Sequence, residues 1–416
     1  MTVTTAPSPD SRPTRLVFPD LIAAFPYPLR VNRHGQRVSE ESKQWLLAGC
    51  QLSKKRRAAF DGLKGGLLTA ECYPLVDYDQ LRVCCDFINY LFNLDDICEK
   101  MDSERAAITA NELIGALRNP HDFRPTSAVG TLTQCFWSRL TATGSLSAQK
   151  RFIDTFELYF RAVTQQVKDK ASNTIPDLES YIAMRRDTSG CKPCWALIEY
   201  ANNLDLPDWV MEHPVVEGLG DAANDLVTWS NDIFSYNVEQ ARGDTHNMII
   251  VVQNQEGLEL QAAIDYVGSL CFGCIDRFEA LRRDLPSWGP EIDAQLQVYI
   301  DGLADWMIGN LVWSFETTRY FGADGEKVRR ELSVDLLPRR KKDDGKPIPE
   351  VVSHPAQPTS LFASSVLSNI VGSYRVILNF SMPRSFSLLH SLRDAFAAAA
   401  WLWNATAKRV RHSAIP

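Results

Sequence analysis

The chain has 416 residues, of which 45% are hydrophobic and 10% aromatic, enough to bury a large core in one or two domains. A formal net charge of −7 and a pI near 5.6 argue against general affinity for nucleic acid. No apolar run of about eighteen residues occurs, so no stable membrane insertion is expected.

Residues 1–16, "MTVTTAPSPDSRPTRL", lack the apolar core of a signal peptide and read as a disordered lead. Ten cysteines without a secretion signal point to reduced thiols and a cytoplasmic location. The pairs Cys191/Cys194 and Cys271/Cys274 stand 80 residues apart (271 minus 191), too far for a zinc ribbon, and read as core.

The first long helical pattern, 79–100, ends in "LFNLDDICEKMD" (Leu91–Asp102), where an apolar run meets Asp95, Asp96 and Glu99. Asp95 and Glu99 are four apart and Asp96 and Glu99 three apart, so the three acids share one helical face. Segment 150–172 sets Phe152, Phe156, Phe160, Val163 and Val167 in one apolar stripe. Pro176 with Asp177 and Glu179 marks a helix start, and "DTSGCKP" marks an interruption. Segment 221–242 contains "SNDIFSYNVEQAR", in which Asn231, Ser235 and Glu239 form one vertical row of oxygen donors. Further helical patterns cover 257–283 and 291–321.

Alternating strand patterns are scarce, and no fixed repeat, G-x-G-x-x-G or P-loop occurs. The fold class is therefore all-α, with one helical domain over 17–338. From 339 the sequence "RRKKDDGKPIPEVVSHPAQPTS" reads as a linker, and 339–416 as a poorly structured C-terminal extension. The sequon at Asn404 reads as chance in a chain without a secretory route.

Taken singly, each acidic row has a plain reading as a solvated helix face. Together, on facing helices, amide, hydroxyl and carboxylate oxygens make a hard donor set suited to Mg²⁺, and such an ion cluster binds a diphosphate.

Asp95-Asp96-x-x-Glu99 resembles the aspartate-rich motif of class I terpene cyclases, and Asn231-Asp232-x-x-Ser235-x-x-x-Glu239 is similar to their second magnesium motif. The motifs lie 136 residues apart (231 minus 95), about the spacing of that family. "YIAMRRDTSG", "GDTHNMI" and "NLVWSFETTRYF" follow in family order, so the resemblance covers most of 17–337. "ESKQWLL", "LRVCCDFINYLF" and "RYFG" resemble the basidiomycete sesquiterpene synthases of fungal secondary metabolism in particular.

The resemblance implies a single helical bundle with a central active-site cavity, acting as monomer or homodimer on farnesyl diphosphate with three Mg²⁺ ions, or Mn²⁺ in their place. It assigns Asp95 to bridge two ions with Asp96 and Glu99 supporting, and Asn231, Ser235 and Glu239 to the third. Asp232 then orients neighbouring basic side chains. Arg185 corresponds to the arginine that senses diphosphate, with Arg186 as the alternative, and Arg319 and Tyr320 to the pair that binds diphosphate as the pocket closes. The planar guanidinium fork suits phosphate oxygens.

The aromatic candidates for facing a carbocation are Phe92 and Trp313, then Phe87 and Trp306, each with core packing as its plainer reading. Asn310 between the tryptophans is a polar pocket residue or a satisfied core amide. Two positions depart from the pattern. Glu99 stands where Asp is usual, and Val238 stands where many fungal relatives carry Lys, with Arg242 one turn later as a substitute.

The implied reaction is ionisation followed by closure between C1 and C11 through a humulyl cation to a protoilludene-type tricycle. The rival readings are a chain-elongating prenyl transferase, a condensing enzyme of the same fold, and a non-catalytic helical binding protein.

Overall fold

The computed structural model describes residues 15–98, 101–172 and 175–339. Glu99 lies outside these residues, as do 1–14 of the expected lead and 340–416 of the expected extension. The described residues are helical almost throughout, and all fall within one unit of the chain.

Helix Tyr78–Cys98 is buried on most sides, with Leu81, Val83, Phe87, Ile88, Tyr90 and Leu94 all in the core. It packs against Gly35–Gly49, Gly65–Cys72, Ala128–Thr143 and Cys191–Ala201. Its one fully buried charge, Asp86, accepts from Arg82 at 3.0 Å and pairs with Arg139 at 2.6 Å. The stripe expected over 150–172 is a helix, Leu146–Ser172, and its Phe152 and Phe156 meet Phe87 edge-on at 5.0 and 5.6 Å. Each such pair adds about 0.5–1.5 kcal/mol beyond the area it buries.

The second motif rides on Pro214–Arg242, longer than the expected 221–242 because Pro214 opens the helix and its fixed φ suits the first turn. The helix ends at Gly243, whose φ of 79° gives the left-handed cap. It packs against Leu260–Arg283 and Pro290–Glu316. The interruption at "DTSGCKP" is real: Leu178–Thr188 stops, and Cys191–Ala201 begins after Gly190. Gly190 takes a φ of 72°, and a Cβ there would stand 2.8 Å from Leu91. Only glycine lets the two helices turn against the first-motif helix at this point.

Two further differences from the sequence reading matter for the fold. The pattern 291–321 is not one helix, because it breaks at Thr317 and restarts as Thr318–Phe321. Thr317 Oγ1 accepts from the Arg319 amide at 3.3 Å and donates to the Gly62 carbonyl at 3.1 Å. Arg15 and Leu16, read as part of the lead, instead form a strand Arg15–Val17 that pairs antiparallel with Ser333–Asp335. Leu16 is fully buried there, and Arg15 reaches Ser333 and Glu331.

Nine of the ten cysteines are buried, including both Cys-x-x-Cys pairs, and all ten are free thiols. Burial raises the thiol pKa of Cys191, Cys194, Cys271 and Cys274, which suits inert packing rather than redox work. Among the described residues no single helix is long and apolar enough to cross a membrane; only the pair Met248–Glu256 and Leu260–Arg283, bent by 114°, passes that test together.

The C-terminal ribbon closes on the second-motif helix, because Leu337 bonds Asn237 at 2.8 Å and Gln240 at 2.8 Å. A chain ended after Arg339 keeps these contacts and is expected to stay soluble and unfold within a few degrees of the full chain. One ended before Ser333 should unfold earlier. Loss of soluble protein on the first cut, followed by circular dichroism melting, would contradict this.

Candidate functional site

Asp95 and Asp96 sit half-buried on the last turn of Tyr78–Cys98. Acids at a helix C-terminus oppose the macrodipole, so their placement there costs stability unless a cation compensates. The Tyr159 hydroxyl approaches Asp95 Oδ1 at 3.4 Å, and burial together with the Asp95 charge holds that phenol well above its usual range.

The second row sits on Pro214–Arg242. Asn231 Oδ1 accepts from Arg185 at 2.9 Å, while its Nδ2 donates to the Tyr320 hydroxyl at 2.6 Å. Ser235 Oγ is buried without a full hydrogen bond and faces the Glu239 carboxylate. Burial first, then the Asp232 charge, push the Glu239 carboxyl up to about 7 against the opposing donation from Asn247.

Asp232 is no open ligand. It is buried and accepts from Tyr181 at 2.6 Å, from Arg185 at 3.0 and 3.1 Å, and from the Met248 amide at 3.1 Å. The two adjacent arginines part company here. Arg185 lies on Asn231 and Asp232, whereas Arg186 grips Asp225 with two bonds of 2.7 Å and reaches Asp221. Arg277 shares that same buried Asp225 carboxylate.

Arg319 joins the two rows. Burial lowers its pKa, yet the Tyr320 hydroxyl and the carboxylates of Asp95, Asp96 and Glu239 together raise it above the ordinary value. The turn carrying Arg319 and Tyr320 bridges the two motif helices, since the Tyr320 hydroxyl accepts from Asn231 at 2.6 Å and Arg319 stacks on Phe92, one turn before Asp95 and Asp96. The Arg319 guanidinium lies 5.0 Å over the Phe92 ring, and the residue is exposed to solvent. Phe92 packs 5.8 Å from Trp313, and Trp313 meets Tyr320 edge-on at 6.1 Å. The indole N–H of Trp313 donates to the Leu63 carbonyl at 3.0 Å, which fixes the ring behind Phe92.

The other aromatic candidates lie in the core: Phe87 among phenylalanines, and Trp306 between Tyr73 and Trp195. Asn310 is a buried amide donating to the Val227 carbonyl at 3.4 Å. Arg242 is exposed on the last turn of its helix.

Among the described residues no three His, Cys, Asp or Glu side chains gather into a metal cage. The second row offers an amide, a hydroxyl and one carboxylate, an open set that water and ligand oxygens must complete. The under-bonded Ser235 Oγ and the crowded negative charge at Glu239 fit a hard divalent cation there.

Two residues escaped the sequence reading. Tyr181 lies one turn before Arg185, so helical register alone would have placed both on one face. Asn247, 0% exposed, precedes the apolar run of Met248–Glu256 and caps that helix by accepting from the Ile249 amide at 2.9 Å. An asparagine before an apolar run is a helix-start signal.

Removing the Asp232 carboxylate strands a phenol, a guanidinium and an amide in the interior. Asp232→Ala is expected to cost about 3 kcal/mol of stability. Urea unfolding checks this, and a loss under about 1 kcal/mol would contradict the hub described.

Comparison with known proteins gives the geometry its context. Residues 86–277 match the family model described as terpene synthase family 2, C-terminal metal binding. The chain is 60% identical over 335 residues to sesquiterpene synthase 1 of Postia placenta, covering 80% of this chain and 98% of that one. It is 48% identical to alpha-muurolene synthase of Coprinopsis cinerea, covering 79% of each. It is 37% identical to a Delta(6)-protoilludene synthase of Stereum hirsutum, covering 79% and 90%. In fold it is similar to germacradien-4-ol synthase from Streptomyces citricolor, with a TM-score of 0.62 at 23% identity over 70% of this chain and 96% of that one. The chain belongs to the terpene synthase family and is a sesquiterpene synthase of the basidiomycete group.

Proposed function

We propose that this synthase takes farnesyl diphosphate, breaks its allylic C–O bond so that the electron pair leaves with diphosphate, and cyclises the resulting cation. The observation that carries this reading is the Asn231 side chain bonding both Arg185 and Tyr320, while Arg319 beside Tyr320 stacks on Phe92 one turn before Asp95 and Asp96. Three Mg²⁺ ions, when bound, would neutralise the charge that grows on the departing diphosphate. Asp95, Asp96 and Glu99 would hold ions from one side, and Asn231, Ser235 and Glu239 from the other.

The chain's own groups do the rest. Arg185 and Arg319 offer N–H donors to phosphate oxygens. Tyr320, having accepted from Asn231, keeps its own proton to donate. Arg186 takes no part in this reading, since Asp225 and Asp221 occupy its donors. Phe92, backed by Trp313, presents an aromatic face worth about 0.5–2 kcal/mol to a nearby cation. Excluding water from that face lets the cation close on a double bond before it is quenched.

The chain-elongating, condensing and non-catalytic readings are not favoured, since the relative at 60% identity, covered over 98% of its length, is named a sesquiterpene synthase. The ring closure is a separate matter. The C1–C11 expectation gains no support from identity, which is 48% to the muurolene synthase and 37% to the protoilludene synthase. A difference of only about 1–2 kcal/mol between competing cation paths decides the product.

Purified protein with farnesyl diphosphate and Mg²⁺ should release a sesquiterpene, read by headspace mass spectrometry. Excess EDTA should abolish release, and full turnover in its presence would contradict the scheme. Asn231→Ala and Glu239→Ala should each lose more than tenfold in kcat, above about 1.4 kcal/mol, with unchanged circular dichroism. A variant keeping more than about a tenth would place the ion elsewhere. Protoilludene-type products would support the C1–C11 closure, and muurolene-type products would overturn it while leaving the enzyme class standing.

A further inference from the structure

Asn247 is buried, lies off the motif helix, and engages both its amide hydrogens and its oxygen. One amide hydrogen goes to Glu239 Oε2 at 2.9 Å and the other to the Asp232 carbonyl at 2.7 Å. Its oxygen accepts from the Ile249 amide at 2.9 Å. The Asp232 side chain returns the tie by accepting from the Met248 amide at 3.1 Å.

We propose that Asn247 is a positioning residue for the metal site: it holds one Glu239 oxygen so that the other is presented toward Ser235 and the incoming cation. The inference rests on the reading of Glu239 as a metal ligand.

The geometry allows few substitutes. A carboxylate at 247 would lose both donors and set a second negative charge against Glu239. A shorter hydroxyl would still cap the helix but fall short of Glu239. Without the donor, the Glu239 side chain is free to rotate away from the row, and ordering it again on metal binding costs entropy. Outer hydrogen bonds of this kind carry about ten- to a hundredfold in metal affinity.

The cap and the positioning role separate cleanly. Serine keeps the cap acceptor, and glycine is tolerated at the cap position for only a few tenths of a kcal/mol. Asn247→Ser and Asn247→Gly are therefore expected to fold, with far-UV circular dichroism unchanged. Mn²⁺ binding, followed by electron paramagnetic resonance with inorganic diphosphate present, should weaken about tenfold or more in either variant. Turnover at saturating Mg²⁺ should recover toward that of the parent protein, so the loss falls on the metal concentration needed and less on kcat.

Glu239→Gln is measured beside them. If it weakens Mn²⁺ binding while both Asn247 variants bind as tightly as the parent, the positioning role is overturned and the metal row stands. If Glu239→Gln also binds as tightly as the parent, the ligand reading itself falls and the inference with it. If Asn247→Ser fails to fold, Asn247→Gly decides, and a melting loss in both with unchanged Mn²⁺ affinity reduces Asn247 to a helix cap.

Discussion

The turn of Arg319 and Tyr320 ties together two helices that each bring negative charge to one place. Asp95 and Asp96 stand at the wrong end of their helix for the macrodipole, and Glu239 stands half-buried near the Asp232 charge. Neither arrangement is one that a fold selects for its own stability. The positive charges of Arg319 and Arg185 offset part of that cost. Hard oxygen donors on both motif helices are what divalent ions arriving with a polyanion require.

Much of the surrounding structure serves to hold that charged locus still. Thr317 breaks the last long helix and turns Arg319 and Tyr320 toward the motif rows, bonding Gly62 on the way. Tyr320 then bonds Asn231, so the turn and the second row are locked to each other. Asp232 gathers Tyr181, Arg185 and the start of the next helix. The Asp225 carboxylate, shared by Arg186 and Arg277, pins the helix bearing Arg185 from its other side. These charged groups sit among an aromatic core whose rings leave Phe92 beside the site and bury Phe87 away from it.

The sequence made the two oxygen rows legible because helical period alone puts residues four apart on one face, whatever the helix packs against. The core thiols were legible from composition. The choice between Arg185 and Arg186 was not, because neighbours on a helix point about 100° apart and only the partner helix decides which faces the site. The break at Thr317 carries no Pro or Gly, so the apolar pattern runs across it and hides the turn. The ribbon of Arg15–Val17 with Ser333–Asp335 joins three-residue strands from opposite ends of the domain, too short and too distant for any local signal. Asn247 is of the same kind: its cap was readable, but its bond to Glu239 depends on how the following helix folds back.

Two rows acting on one diphosphate are the centre of the proposed chemistry. A crystal structure of the protein with Mg²⁺ and inorganic diphosphate tests this most directly. The expected result is divalent ions held from both sides, by the Asp95 row and by Asn231, Ser235 and Glu239, with Arg185, Arg319 and Tyr320 on phosphate oxygens. Ions ligated by one row alone, or diphosphate bound away from Arg319, would contradict it.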